Sequence, residues 1–344
     1  MRSCVNCDTQ LEGEAVYFCP VCNSRQTPLR PAAGTLDNWD GKSSLQSVDL
    51  SYCDLRALTF HHVNLQNANL EGADLTEVNL SGADLSGSNL VGANLYEATL
   101  ADTNLSKAKL QGARLQFANL TFSKATGANF TGANLIGATL VAAVLQDCNV
   151  SNAILSDAKL SEADLSRVKG DNASFSTAVL THAVLDSAVL YKSNFWKAKM
   201  ASARLHNANL DAARFDYANL RDTKFVQSHM LETVFEGSDL ENASLIGAFL
   251  TKANFKSAHL VRADLTDAVL IQTNFEGAMM RDALLENANG QDAVFLNCSG
   301  LTREQLQTML ALQGATLPDG KKLSKQYSLM DEDSSSWRDQ LANW

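Results

Sequence analysis

The chain predicts an all-β solenoid, on three observations. Every fifth residue from Leu50 to Phe295 is almost always Leu, Phe or Met. Two residues before each of these the side chain is nearly always small, as at Ala68, Ala73 and Ala83 and on to Ala293. Phenylalanine then recurs every twenty residues at Phe175, Phe195, Phe215, Phe235, Phe255, Phe275 and Phe295. A period of five matches neither a helix nor a flat strand, whose side chains repeat at about 3.6 and 2 residues. It suits a coil that turns a corner every five residues, with the large and the small residue pointing inward and the other three facing solvent, free to vary. A repeat this strict also means that most of the sequence records scaffold.

The phenylalanines fix the coil at twenty residues, because at that spacing they form one internal stack along a single wall. Earlier members of the same column are Leu55, Leu75, Leu95, Leu115, Leu135 and Leu155. At roughly 4.8 Å per coil, about twelve or thirteen coils make a rod of roughly 60 Å. Ala125, Gly170, Gly290 and Gly300 lack the large residue, Leu58 and Val168 enlarge the small slot, and Lys169-Gly170-Asp171 predicts a local bend.

The triplets Ala73-Asp74-Leu75 and Ala93-Asn94-Leu95, repeated over residues 46–300, resemble the A(D/N)LXX motif of the pentapeptide-repeat family. The resemblance implies a right-handed quadrilateral parallel β-helix with four pentapeptides per coil. It also implies a non-enzymatic protein, since members of that family include DNA-mimicking protectors of DNA gyrase and proteins that dimerise through C-terminal elements.

The flanks read differently. Cys4-x2-Cys7, eleven residues, then Cys19-Pro20-Val21-Cys22 matches two thiolate knuckles closing on one tetrahedral zinc ion. Residues 1–26 therefore resemble a short zinc ribbon, a structural site whose metal would supply the folding energy. Residues 27–45, with Pro28, Pro31 and Gly34, read as a linker. Residues 301–320 are expected to form a helical cap, starting near Thr302 with Glu304 and Gln305 and stopping at Gly314. Residues 321–344 read as a flexible polar tail. In it Trp337, Leu341 and Trp344 make an amphipathic stripe able to dock in a groove or to pair with a second copy. The remaining cysteines, Cys53, Cys148 and Cys298, occupy the small slot and read as buried packing residues.

A net charge of -10 argues against direct nucleic-acid binding. Met1-Arg2-Ser3-Cys4 opens no apolar signal segment, which places the chain in the cytoplasm with no membrane span. The histidines do not cluster, and no nucleophile elbow, phosphate loop or dinucleotide fingerprint is present. Charge runs in bands: acidic at Glu71, Asp74, Glu77, Asp84, Glu97 and Asp102, then basic at Lys107, Lys109, Arg114 and Lys124. Lys192, Lys197, Lys199 and Arg204 are basic again, before acids at Glu232, Glu236, Asp239 and Glu241. Banding favours a protein partner over a DNA mimic, which needs a long acidic surface. Tyr191, Trp196 and Tyr217, framed by lysines, are the candidate partner-binding residues on the coil. The function read from the sequence is a protein–protein interaction scaffold, with modulation of a type II topoisomerase such as DNA gyrase as the alternative.

Overall fold

The structure is a computed structural model that describes residues 41–56, 58–324, 336–342 and 344, together with the backbone of three two-residue strands nearer the N-terminus. Those strands are β1 (Arg2–Ser3), antiparallel to β2 (Gln10–Leu11), and β3 (Arg30–Pro31), which pairs in parallel with β4 (Cys53–Asp54). The segment expected to be a linker thus contributes a strand to the start of the coil. Cys4, Cys7, Cys19 and Cys22 lie outside the described residues.

The chain divides into two units, Met1–Asp164 and Leu165–Trp344. Each is a coil that closes every twenty residues: Asn69 bridges Asn89 in the first, and Asn219 bridges Asp239 in the second, all in parallel. The large residue and the small residue of nearly every pentapeptide are buried, as predicted, with Leu58 and Cys298 half-buried. The sheet contacts are single-residue bridges and not long strands, because the backbone turns again after three residues.

Why a pentapeptide can do this follows from where its N–H groups go. In the first unit Leu70 donates to Asn89 of the next coil, Gly72 to Val91 of the next coil, and Asp74 to Cys53 of the previous one. Ala73 N–H closes the turn on Leu70 at 3.0 Å. The fifth donor, Glu71 N–H, goes to the side-chain Oδ1 of Asn69 at 3.3 Å. The second unit repeats the scheme: Leu220, Asp222 and Lys224 bond to adjacent coils, Thr223 closes its turn, and Arg221 N–H reaches Asn219 Oδ1 at 3.2 Å. The residue between the small and the large one is therefore not a free surface slot. Asn or Asp there makes an Asx turn that satisfies a donor the backbone leaves over. Asn also ladders between coils, as Asn89 Nδ2 does to Asn69 Oδ1 at 3.1 Å.

The second turn residue of each pentapeptide sits at φ near +58°, as at Asn207, Asp222 and Thr177. That is the left-handed region, which glycine and asparagine enter most readily and a β-branched residue least.

The second unit's interior holds the predicted phenylalanine stack. Rings from Phe175 to Phe295 lie parallel within 11° at centroid spacings of 4.6 to 5.2 Å. Phe225, on the opposite wall, meets Phe215 and Phe235 edge-on at 5.9 and 6.0 Å. In this unit small-slot hydroxyls find partners, whereas in the first unit the buried Ser88 and Ser123 hydroxyls have none. Thr223 donates to Met200 O in the coil before, and Ser228 to Phe225 O in its own turn.

Gly170 N–H meets Val189 O of the next coil at 2.7 Å, as the large residue of its slot would. One expectation changes. Within residues 301–320 only α1 (Arg303–Gln307) is helical. It starts as predicted, in a capping box: Thr302 Oγ1 accepts from Gln305 N–H, and Gln305 Oε1 accepts from Thr302 N–H. It ends at Thr308, not Gly314. The chain then rejoins the coil, with Ala311 bridging Asn289 and Thr316 bridging Val294, two residues beyond the usual spacing. Gly290 shows why. A Cβ there would lie 2.6 Å from Met309 Cε and 3.0 Å from Leu312 Cδ2, so these side chains fill the space a large residue would take.

Candidate partner-binding surface

Side chains that flank a buried large residue share a wall: Arg214 pairs with Asp216 at 3.2 Å across Phe215, and residues twenty apart lie one above the other. This geometry places each predicted surface residue. Trp196 and Tyr217 occupy the same corner in successive coils, 37% and 56% exposed. Lys197 Nζ stands 4.3 Å over the Trp196 ring. Tyr191 is also exposed, with Lys192 Nζ at 4.9 Å, but it lies on the neighbouring wall. The predicted trio is therefore a pair plus one. Tyr217 has in addition a local task, since a Cβ on Gly237 would lie 2.7 Å from its ring. The ring covers the turn of the next coil, as Phe117 does over Gly137.

The charge bands pair with one another. Residues one coil apart in sequence are neighbours in space, so acids and bases separated by about twenty residues meet. Glu241 lies between Arg221 and Arg262, Lys252 reaches Glu232 at 3.6 Å, and Lys256 reaches Glu276 at 3.2 Å. Arg221 also contacts Asp239 at 3.2 Å. In the second unit much of the banding is thus an internal ladder of ion pairs. In the first unit several of the acids are scaffold acceptors. Glu71 accepts from Tyr52 Oη and Asn89, and Asp74 from Thr76 and Asn94. Burial works to raise the Asp84 carboxyl, but hydrogen bonds from Ser86, Gln66 and Asn104 outweigh it and hold the group below its ordinary range.

The tail stripe docks within its own unit. Helix α2 (Trp337–Ala342) buries Trp337 and Leu341. Ser324 N–H bonds Gln340 Oε1 at 2.9 Å, and Lys321 Nζ reaches Gln340 O at 3.3 Å. Trp344 stays half-exposed.

Catalytic geometry is not formed among the described residues. No group of three or more His, Cys, Asp or Glu side chains is placed to hold a metal ion there. His61 and His62 face each other at 3.9 Å. His229 stacks on Phe249 at 4.8 Å. Burial pushes the Cys148 and Cys298 thiols up to about 12, so both are inert packing groups, each donating to a carbonyl of the coil before. A shallow cavity of about 310 Å³ lies beside α1, walled by Glu286 and Glu304 over Leu284. No helix among the described residues is long and apolar enough to cross a membrane.

The family description "Pentapeptide repeats (8 copies)" matches the chain in overlapping segments that run without a gap from residues 43–82 to residues 263–299. The chain belongs to the pentapeptide-repeat family. Among solved structures it is similar to HetL, a pentapeptide repeat protein involved in heterocyst differentiation regulation from the cyanobacterium Nostoc sp. strain PCC 7120. The identity is 32%, over 76% of this chain and 92% of that one, with a TM-score of 0.30. It is also similar to full-length QnrB1, a plasmid-mediated fluoroquinolone resistance protein, at 23% identity over 54% of this chain and 92% of that one, with a TM-score of 0.40. No curated protein matches the chain.

In a pentapeptide-repeat protein the informative residues are those the repeat does not require. The sequence reading missed several of them. Phe122, Leu231, Phe249 and Leu284 are 44 to 58% exposed. The signal was available: Phe249 stands where the repeat prefers Asn or Asp.

Proposed function

We propose that this protein is a non-enzymatic protein–protein interaction scaffold. Its repeat coil presents aromatic side chains to a protein partner. An N-terminal structural zinc module held by Cys4, Cys7, Cys19 and Cys22, with the C-terminal residues around Trp344, adds a second contact. The observation that carries the reading is the Trp196 corner. Its backbone donor is already satisfied by Asn194 Oδ1 at 3.0 Å, and the repeat asks nothing of the ring, yet a large aromatic is kept there with a lysine over its face. Aromatic rings paired with cations are frequent centres of binding energy. A formal charge of -10 weighs against direct nucleic-acid binding. The dispersal of the acids as scaffold acceptors and ion-pair partners weighs against a DNA mimic acting on gyrase.

The test is capture of partners from the native host by wild-type protein and by Trp196→Ala. A complex weakened in the variant, with an unchanged circular dichroism spectrum, is expected; undiminished capture removes this corner from the surface. For the zinc module, metal analysis of purified protein is expected to give about one zinc per chain. Protein without zinc refutes the module.

A further inference from the structure

One wall of the second unit departs from the repeat. Its bridging column carries Val189, His229, Phe249 and Val269, all joined to neighbouring coils by parallel bridges. Tyr191, Leu231 and Ile271 lie beside Val189, His229 and Val269, on the other side of the buried large residue. Where Asn209 holds this column, its Oδ1 accepts from Asp211 N–H at 3.1 Å. Val and Phe carry no such acceptor, and His229 stacks its ring on Phe249, so Leu231 N–H turns instead to Asp211 Oδ1 of the coil before at 2.8 Å. The chain does without the Asx turn here and exposes apolar surface, 45% of Phe249 and 44% of Leu231.

The rim of this wall indicates what covers it. Up the adjoining corner, one coil at a time, stand Lys192, Ala212, Glu232, Lys252, Gln272 and Asp292. Their charges read plus, neutral, minus, plus, neutral, minus. Reversing the order gives the same series with every sign inverted. A column with this antisymmetry complements itself when a second copy lies against it in the opposite direction. The two-fold axis passes between the coils of Glu232 and Lys252. It sets Glu232 opposite the partner's Lys252 and Lys192 opposite the partner's Asp292. The same axis brings His229 over the partner's Phe249, so the two ring pairs form the centre of the contact.

We propose that this wall is a self-association surface, on which two copies of the chain pack antiparallel, sheet against sheet at about 10 Å, in an isologous dimer. Glu232 and Lys252 already pair at 3.6 Å within one chain while keeping more than half of each side chain exposed. Each can share its charge with the facing copy. The surface is separate from the Trp196 corner.

Sedimentation equilibrium of the full chain over a micromolar concentration series tests the proposal. Wild type is expected to dimerise. Phe249→Asn introduces the residue that the repeat itself uses in this column, so it preserves the fold, and it is expected to give a monomer. Lys192→Glu and Asp292→Lys are each expected to raise the dimer Kd about ten-fold, by turning two facing pairs from attraction to repulsion. Lys192 and Asp292 lie five coils apart, roughly 24 Å at ~4.8 Å per coil, and cannot meet within one chain. The double variant Lys192→Glu/Asp292→Lys is therefore expected to restore the dimer to within about three-fold of wild type. A monomeric wild type, a dimer unaffected by Phe249→Asn, or a double variant no tighter than the singles would each overturn it.

Discussion

The phenylalanine stack makes a prediction whose size depends on position along the column. Phe235 and Phe175 are both fully buried in the same type of slot. Phe235 touches three rings: Phe215 at 5.2 Å, Phe255 at 4.6 Å and Phe225 edge-on at 6.0 Å. Phe175, at the start of the stack, has one described ring neighbour, Phe195 at 4.8 Å. Substitution of either by Leu removes similar apolar volume, so the burial term nearly cancels between the two. What differs is two ring contacts, at about 0.5–1.5 kcal/mol each. Phe235→Leu should therefore destabilise the second unit by ~1–3 kcal/mol more than Phe175→Leu. The slot itself accepts Leu, since Leu75 and Leu95 fill the same column in the first unit without exposure. Guanidinium unfolding followed by circular dichroism gives the comparison. Repeat arrays can depart from two-state unfolding, so native-state hydrogen exchange in residues 215–255 supplies a local measure. Equal destabilisation by the two variants would show that the rings contribute only as buried volume.

Three further outcomes are expected. Gly290→Leu restores the beat of the sequence but must displace Met309 and Leu312; it should lose about 1–3 kcal/mol and release exchange protection in residues 303–317. Cys148→Thr should fold normally, because Thr223 in the equivalent slot makes the same bond to the coil before. With its thiol at about 12 when folded, against about 8.5 when unfolded, wild-type Cys148 contributes no pH dependence below about pH 8.5 and loses stability as pH climbs to about 12. Cys148→Thr should flatten that alkaline slope in melts run against pH, and an unchanged slope would exclude this thiol as its source. Thr177→Gly should raise the melting temperature of the second unit, since a β-branched residue at φ +60 is relieved of about 1–2 kcal/mol of strain while glycine loses about 0.5–1 kcal/mol of it to chain entropy. A lowered melting temperature would mean that the Thr177 side-chain contacts outweigh the strain.

The interior was legible from the sequence because one rule governs it. A side chain buried every five residues must be large or small at fixed slots, and the twenty-residue recurrence of Phe can arise only from stacked coils. The Thr302 capping box was legible for a similar reason, being a local hydrogen-bond pattern with a fixed spacing. The return of the chain to the coil after α1 was not. Met309 and Leu312 reach Gly290 from about twenty residues away, and nothing in the local pattern announces a register of twenty-two. The charge bands misled for the opposite reason. Read along the chain they look like alternating patches, but Arg221, Glu241 and Arg262 are neighbours in space and offset one another. Trp196 and Tyr191 read as neighbours because they are five residues apart, and five residues is the distance from one wall to the next.

In a pentapeptide repeat, an exposed side chain means little until the slot is known. A ring at the second turn position has a scaffold task whenever the next coil carries glycine beneath it, as with Tyr217 over Gly237 and Phe117 over Gly137. An apolar residue in the bridging column has no such task and removes the acceptor that Asn would give the turn. Phe249 therefore carries more information about function than Tyr217, although it is the less exposed of the two. The same logic ranks Trp196. It follows Asn194, which already closes its turn, so the ring is neither demanded by the backbone nor damaging to it. Slots where the repeat is satisfied and an aromatic is kept, and slots where the repeat is sacrificed for one, mark two surfaces on different walls of one unit. A variant that abolishes one contact should leave the other intact. Phe249→Asn protein that still captures the partner lost by Trp196→Ala would separate self-association from partner binding.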